Sequence, residues 1–212
     1  MDVVVKRARA VAGRIAAPPS KSMAHRAVLC AALAKGTSHL HHLAFSKDIS
    51  ATLGAAGRLC ARVTTGENDA VVEGLGRFLP VDAPVDCCES GSTLRFLLPL
   101  AMALGREVTF TGTPRLLERV MPGLWGVTPC PGGLRVTGRL TGGVYRLPGG
   151  DTSQLISGML MALPLCREDS RLEAPGPVSR PYVDLTAWVL ERYGVVLHRA
   201  QGGWRIPGGE AL

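Results

Sequence analysis

Three segments of the chain share one pattern, in which a short polar cluster precedes an apolar run long enough for a helix. The segments span residues 18–36, 87–105 and 148–166. Serine, threonine and glycine stand in the polar clusters, and such residues commonly precede a helix because they satisfy or expose the N–H groups of its first turn. The runs that follow are apolar on nearly all sides, which is typical of a buried helix. The pattern therefore predicts three buried helices, each beginning at a polar cluster.

The residues that follow each predicted helix also repeat. Each helix is followed by a short apolar stretch, a second helix and two strand-like runs. The second helices are expected from about residue 46 to 60, from Pro114 onward, and from about residue 179 to 193. The paired strand-like runs are "ARVTT" and "DAVVEGLG", "GLRVTGRL" and "GVYRLPG", and "VVLHRA" and "GGWRIPGG". Because each unit can take its leading strand from the end of the unit before it, this order predicts an α/β fold of three β-α-β-α-β-β repeats.

A pseudo-threefold arrangement of these repeats would have a chemical consequence. The three first helices would lie parallel and buried at the centre, surrounded by sheets and by second helices on the surface. Their N-termini would open on one face, where each favours an anion by about 0.3–1 kcal/mol. Lys21, Arg26 and Arg119 would add charge-assisted hydrogen bonds of about 1.5–3 kcal/mol each. Lys21 stands in a first helical turn, where a cation opposes the helix dipole, and an anion bound there would compensate for its position.

Composition narrows the choice of partner. The formal net charge is +7, but the arginines are scattered singly along the chain and aromatic residues make up only 5% of it. Nucleic-acid sites usually concentrate basic and aromatic residues, so this balance favours a small anionic ligand and predicts no nucleic-acid partner. The N-terminal residues show no signal-peptide pattern, and no later run is apolar for the roughly 18 residues of a membrane span. We therefore expect a cytoplasmic location and no membrane interaction.

Sequence patterns for other chemistry are missing. The six cysteines show no C-x-x-C spacing, and the cluster of His39, His41 and His42 has no carboxylate or cysteine at ligand spacing, so we expect no metal site. The phosphate-binding and dinucleotide-binding glycine motifs and the G-x-S-x-G nucleophile motif are also absent from the sequence. These absences argue against ATP and nicotinamide chemistry.

Five motifs, taken in order, resemble one known family. They are "PPSKSMAHR", "ESGSTLRFL", "RLLERVM", "GDTSQ" and "SRPYVDLT", and in this order and at these separations they resemble the EPSP synthases, or 3-phosphoshikimate 1-carboxyvinyltransferases. Enolpyruvyl transferases that act on UDP-N-acetylglucosamine share the fold but lack the S-K-S-x-x-x-R motif. The resemblance implies the inside-out barrel domain of enolpyruvyl transferases. It also implies transfer of the enolpyruvyl group of phosphoenolpyruvate to the 5-hydroxyl of shikimate 3-phosphate, with release of phosphate and without a metal or an organic cofactor.

The resemblance assigns roles to residues that match the family's substrate-binding positions. These residues are Lys21, Ser22, Arg26, Gly91, Arg119, Thr152, Ser153, Gln154, Ser179 and Tyr182. Gly91 and Arg119 match phosphoenolpyruvate contacts, whereas Lys21 and Gln154 match positions that reach both substrates, and the others match the shikimate 3-phosphate pocket. Lys21, Arg119 and Gln154 form the implied catalytic set.

The chain also departs from the family pattern. Family members are about twice as long, and their second domain carries the acid and base carboxylates and further cationic contacts. We therefore expect residues 1–15 to form a strand that in the family belongs to the other domain or to the hinge, residues 16–205 to form the substrate-binding domain, and residues 206–212 to begin the crossover to a missing second domain. The isolated chain is expected to be inactive.

Smaller departures concern single segments. Val120 stands where the family has proline, and the stretch after it is shorter than the family pattern, so the second helix of the middle repeat is expected to be truncated. Thr152 stands where serine is usual and keeps the hydroxyl. A different class of function also remains open, namely a stand-alone anion-binding or interaction module that kept the fold without catalysis.

Overall fold

The computed structural model describes residues 3–4, 6–119, 126–147, 153–175 and 179–212. The helices in this part of the chain are α1 (Lys21–Leu33), α2 (Lys47–Leu59), α3 (Gly91–Ala103), α4 (Pro114–Glu118), α5 (Ser153–Ala162), which continues into a 3₁₀ turn at Leu163–Leu165, and α6 (Arg180–Arg192). The strands are β1 (Lys35–Leu40), β2 (Ala61–Thr65), β3 (Ala70–Leu75), β4 (Val85–Asp86), β5 (Val108–Thr111), β6 (Val127–Cys130), β7 (Gly133–Val136), β8 (Gly143–Arg146), β9 (Ser170–Glu173), β10 (His198–Ala200) and β11 (Gly203–Ile206). The mixed α/β class is the one predicted from the sequence.

Serine caps set the start of the apolar helices. The Ser20 hydroxyl accepts a hydrogen bond from the backbone N–H of Met23 at 3.3 Å, and the Ser90 hydroxyl accepts one from the N–H of Thr93 at 3.3 Å. Each cap satisfies one of the N–H groups that a first helical turn leaves without a partner. In these two segments the polar cluster and the apolar run therefore meet at the helix boundary.

The strands form three sheets with closely related topology. The second sheet has the order β4-β5-β7-β6 and the third has the order β8-β9-β11-β10. In both, the first pair is parallel and the other pairs are antiparallel. The first sheet, β1-β3-β2, is antiparallel throughout and has no parallel leading strand among the described residues. The second and third sheets thus share one topology, while the three repeats and their pseudo-threefold relation stay a prediction.

Five helices form a closed ring of neighbours between the sheets. Along the ring, α1 contacts α2, α2 contacts α3, α3 contacts α5, α5 contacts α6, and α6 returns to α1. Helices α1, α3 and α5 are buried along most of their length. Helices α2 and α6 bury their apolar faces against these neighbours and expose the opposite faces. This agrees with the expected layout of buried first helices and amphipathic second helices at the surface.

The closest contact in the ring requires a glycine. A Cβ atom on Gly158 of α5 would lie 2.5 Å from the carbonyl oxygen of Arg95 and 2.8 Å from the ring of Pro99, both on α3. These distances are shorter than van der Waals contact. Gly158 therefore allows the backbones of α3 and α5 to approach each other.

The middle unit contains one truncated helix and two strands, β4 and β6, that the sequence pattern did not predict. Helix α4 has five residues, in agreement with the expected truncation. Strand β6 contains Pro129, and proline usually argues against a strand because it cannot donate to the sheet. Since β6 is the edge strand of its sheet, the missing N–H costs little there. The run "GVYRLPG" instead supplies β8, the leading strand of the third sheet.

The N-terminal segment lies outside the helices and sheets. Every described residue from Val3 to Ser20 is exposed and belongs to no helix or strand. The proposed place of residues 1–15 in another domain, like the boundaries at 16–205 and 206–212, stays a prediction. None of the helices in the described ranges is both long and apolar enough to cross a bilayer.

Candidate functional site

The N-terminal ends of the ring helices meet at one cleft of about 570 Å³. The described residues that line it are Lys21, Ser22, Arg26, Asp48, Glu89, Gly91, Ser92, Arg95, Phe96, Arg119, Ser153, Gln154, Ser179 and Tyr182. They include the first or second residues of α1, α2, α3 and α5, and the residue that precedes α6. Each helix N-terminus carries a positive partial charge and free N–H groups. The cleft is therefore electrostatically suited to an anion.

The structure brings together the residues singled out from the sequence. Nine of the ten line this cleft, and Thr152 lies outside the described residues. Five further lining residues were not singled out, namely Asp48, Glu89, Ser92, Arg95 and Phe96. All of these except Asp48 belong to the motif "ESGSTLRFL". Arg95 comes one turn after Gly91 on α3, so helical spacing would have placed it on the same face as Gly91. The role of each residue stays a prediction.

Lys21 pairs with a carboxylate across the mouth of the cleft. It is the first residue of α1, and its ammonium nitrogen lies 2.7 Å from Oδ2 of Asp48, the second residue of α2. The Lys21 side chain is 55% exposed, and exposed ion pairs of this kind contribute at most about 1 kcal/mol. The carboxylate relieves the unfavourable cation in the first turn of α1, and a bound anion would compete with it for Lys21.

Arg26 is the most deeply buried cation of the cleft. Its guanidinium donates to the Thr186 hydroxyl at 2.7 Å, the Ser22 carbonyl at 2.7 Å, the Ser157 hydroxyl at 2.9 Å and the Tyr182 carbonyl at 3.0 Å. Its Cζ atom also lies 5.0 Å from the centroid of the Phe96 ring, within the range of a cation–π contact. Burial lowers the pKa of Arg26 to about 10, so the side chain stays positively charged at neutral pH.

Arg95 connects two residues of the predicted catalytic set. Its guanidinium donates to Oε1 of Gln154 at 2.9 Å and to the carbonyl oxygen of Arg119 at 2.6 Å. The Gln154 amide in turn donates to the Ser92 hydroxyl at 2.9 Å. Burial, followed by the nearby charge of Arg119, lowers the pKa of Arg95. Gln154 is therefore held on both sides, and the end of α4 that carries Arg119 is attached to α3.

Ser179 and Tyr182 lie at the start of α6. Ser179 adopts a left-handed conformation with φ 64°, and no capping hydrogen bond of its hydroxyl is found within the described residues. A non-glycine residue in this conformation costs about 1 kcal/mol or more, and such residues cluster at functional sites. Tyr182 is 47% exposed, so it is not a core residue. Both side chains are placed where a ligand in the cleft could contact them.

A row of buried, hydrogen-bonded side chains lies among the N-terminal turns of α1, α2 and α3, next to the cleft. His25 Nδ1 lies 2.7 Å from the Thr52 hydroxyl, which lies 2.6 Å from the Thr93 hydroxyl, and Thr93 donates to Ser90 at 2.6 Å. The Thr52 hydroxyl also donates to the backbone carbonyl of Asp48 at 3.1 Å. Burial lowers the pKa of His25 to about 4, so the ring is neutral at pH 7. This row of hydrogen bonds joins α1, α2 and α3, and the sequence periodicity did not predict it.

A metal site is not evident in this part of the molecule. Across the ranges that the structure describes, no three histidine, cysteine or acidic side chains lie close enough together to hold an ion. The cleft has four cationic side chains and two carboxylates among its described lining residues. This balance of charges favours an anionic ligand over a metal cation.

Comparison with known proteins identifies the family of the chain. The family model described as EPSP synthase (3-phosphoshikimate 1-carboxyvinyltransferase) matches residues 5–125. The chain belongs to the EPSP synthase family. The 3-phosphoshikimate 1-carboxyvinyltransferase of Clostridium kluyveri is 38% identical over 198 residues, which cover 86% of this chain and 46% of the relative. The enzyme of the same name from Methanocorpusculum labreanum is 34% identical, with 99% of this chain and 53% of the relative covered.

Solved structures place the fold in the same group. EPSP synthase from Acinetobacter baumannii superposes with a TM-score of 0.81 at 24% identity, over 94% of this chain and 48% of that one. The enolpyruvyl transferase NikO from Streptomyces tendae superposes with a TM-score of 0.62 at 16% identity, over 90% of this chain and 47% of that one. The chain thus spans about half the length of the EPSP synthases it matches.

Proposed function

We propose that this chain forms the shikimate 3-phosphate-binding half of an EPSP synthase, which transfers the enolpyruvyl group of phosphoenolpyruvate to the 5-hydroxyl of shikimate 3-phosphate. The observation that carries the proposal is the convergence of nine predicted residues on one cleft at the helix N-termini. These residues are far apart in the sequence, and their convergence on one cleft supports the proposal. Family membership supports the reaction class.

The cleft chemistry fits two anionic substrates. Lys21, Ser22 and Arg26 bind shikimate 3-phosphate together with Ser153, Ser179 and Tyr182, whereas Arg119 and Gly91 hold phosphoenolpyruvate. Bringing two anions together requires fixed cations, and the attack of a hydroxyl on an alkene depends on orientation more than on a protein nucleophile. In this proposal Lys21 and Gln154 contact both substrates.

Proton transfer in this proposal needs the second half that the relatives possess. General acid–base catalysis typically contributes about 10²–10⁴-fold. The two carboxylates of the cleft, Asp48 and Glu89, belong to the anion-binding face, and Asp48 is already paired with Lys21. We therefore expect the isolated chain to bind substrate but not to turn over.

Calorimetric titration tests the binding half of the proposal. The chain would be titrated with shikimate 3-phosphate, with shikimate and with inorganic phosphate, and the series repeated on Lys21→Ala and on Lys35→Ala, which removes an exposed lysine of β1. We expect binding that requires both ring and phosphate and weakens by about 1.5–3 kcal/mol in Lys21→Ala only. A folded chain that does not bind shikimate 3-phosphate would contradict the proposal.

Complementation in trans separates the enzyme from the alternative of a binding module without catalysis. The second half of the Clostridium kluyveri relative would be added to the chain together with both substrates, and phosphate release measured. Recovered turnover supports the enzymatic role. Ligand binding with persistent inactivity, although the added half is folded, would favour the module.

A further inference from the structure

We infer that Ser157 and Thr186 are positioning residues that fix the Arg26 guanidinium in the cleft, so that Arg26 offers a ligand one hydrogen bond rather than a bidentate clamp. The inference rests on the proposed function only for the identity of the ligand. It assigns a role to two hydroxyls that line no part of the cleft. Both are fully buried, Ser157 on α5 and Thr186 on α6.

The inference follows from a count of hydrogen-bond donors. A guanidinium has five N–H groups. In Arg26 the Nε–H donates to Thr186, the two Nη2 hydrogens donate to Ser157 and to the Tyr182 carbonyl, and one Nη1 hydrogen donates to the Ser22 carbonyl. Within the described part of the chain, the second Nη1 hydrogen alone has no acceptor. Bidentate recognition of a carboxylate or phosphate needs two parallel N–H groups, and this arrangement leaves one.

The two hydroxyls also fix each other. The Thr186 hydroxyl lies 2.7 Å from the Ser157 hydroxyl and 3.0 Å from the Tyr182 carbonyl, and it donates to one of them while accepting from Arg26. Arg26, Ser157 and Thr186 thus form a closed triangle between α1, α5 and α6. Since a buried arginine leaves its position only by abandoning several charge-assisted hydrogen bonds, the guanidinium is held in place before a ligand arrives.

The burial of these hydroxyls has no evident packing purpose. Alanine or valine would fill the same space without a polar group that must be satisfied. A position near the middle of an apolar helix such as α5 favours an apolar side chain, and Ser157 stands there between Ile156 and Gly158. Their partner in both cases is the guanidinium of Arg26, which lines the cleft.

The matched pair Thr186→Val and Thr186→Ser tests the inference, with Ser157→Ala as a second variant and Thr64→Val, at an exposed position of β2, as the control. The first readout is proton exchange of the Arg26 Nε–H by NMR, assigned by its loss in Arg26→Lys. The second is the affinity for shikimate 3-phosphate. We expect Thr186→Val and Ser157→Ala to weaken binding about tenfold and Thr186→Val to speed Nε–H exchange at least tenfold. Thr186→Ser and Thr64→Val should stay within about threefold of the original chain.

The outcomes distinguish this inference from the proposed function. If the original chain does not bind shikimate 3-phosphate, the proposed function fails, and the exchange rate of the Arg26 Nε–H still decides whether Thr186 positions the guanidinium. If folded Thr186→Val and Ser157→Ala bind as tightly as the original chain while Arg26→Lys does not, the positioning role is overturned. Equal losses in Thr186→Ser and Thr186→Val would also overturn it, because they would point to packing of the methyl group or to the fold.

Discussion

Lys21 and Asp48 begin two neighbouring helices and form an ion pair of 2.7 Å at the mouth of the cleft. The carboxylate neutralises part of the charge that an incoming anion would meet. Asp48→Asn should therefore strengthen the binding of inorganic phosphate about two- to fivefold at low salt, because Lys21 is released and the cleft gains net positive charge. Titration at low and at high salt measures this effect, which should shrink as salt screens the charges. Unchanged or weaker binding at low salt would show that Asp48 serves mainly to hold Lys21 in place.

His25 should make the stability of the fold depend on pH. Its pKa is about 4 in the folded chain, against an ordinary value of 6.5. As the pH falls below 6.5, the unfolded chain takes up a proton that the folded chain refuses until about pH 4, so the free energy of unfolding decreases in this window. The expected loss between pH 7 and pH 5 is about 2 kcal/mol from this residue.

Urea unfolding at the two pH values, with His25→Gln as the comparison, measures this contribution. The variant has no titrating ring, so its free energy of unfolding should change less between the two conditions. An identical change in both proteins would mean that His25 is not the group responsible.

Arg95→Met should destabilise the chain even though it removes a buried charge. The substitution keeps much of the side-chain volume but leaves Oε1 of Gln154 and the carbonyl oxygen of Arg119 without their donor. Leaving a buried acceptor without a partner costs about 1–3 kcal/mol, and since these two acceptors are only partly buried we expect a loss of about 1 kcal/mol. Chemical denaturation gives the value, and Arg115→Met on α4, outside the cleft lining, is a suitable control. Equal stability of Arg95→Met and the original chain would mean that water replaces the guanidinium without cost.

Two glycines in the helical ring should respond in opposite ways to alanine. Gly158→Ala places a Cβ 2.5 Å from the carbonyl oxygen of Arg95, so α3 and α5 must separate at a cost of about 1–3 kcal/mol. At Gly54 of α2 no described atom lies within 4 Å of the added Cβ, and the higher helix propensity of alanine should stabilise the chain by about 0.5–1 kcal/mol. Thermal unfolding of both variants gives the two signs, and destabilisation of similar size at both positions would contradict the packing of α3 against α5.

Local patterns predicted the elements better than their mutual packing. The second helices expected near residues 46–60 and 179–193 lie at Lys47–Leu59 and Arg180–Arg192, because caps and amphipathic spacing are encoded locally. The edge strand β6 was missed because Pro129 argues against a strand unless the sheet topology is known. The order in which the five helices contact one another around the ring also depends on topology, which periodicity does not contain.

In the cleft, too, the sequence predicted some residues and missed those that depend on tertiary contacts. Motif order brought the predicted residues into one family pattern, and the nine that the structure describes line one cleft. Arg95, Ser157 and Thr186 were not singled out because their importance lies in partners that are distant in the sequence, such as Gln154 and Arg26. A buried polar residue in an apolar run is a signal that such partners exist, and here it would have pointed to Ser157.

The common direction of the five ring helices affects how quickly a ligand can arrive. Their positive ends gather at the cleft while their negative ends face the opposite side, so the domain carries an electric asymmetry along the axis of the ring. A field of this kind draws anions toward the cleft from a distance of about a Debye length, roughly 10 Å at moderate salt. The association rate of an anionic ligand should therefore fall as salt increases. We expect its residence time to depend instead on its contact with the buried Arg26 guanidinium, because salt screens buried charges poorly.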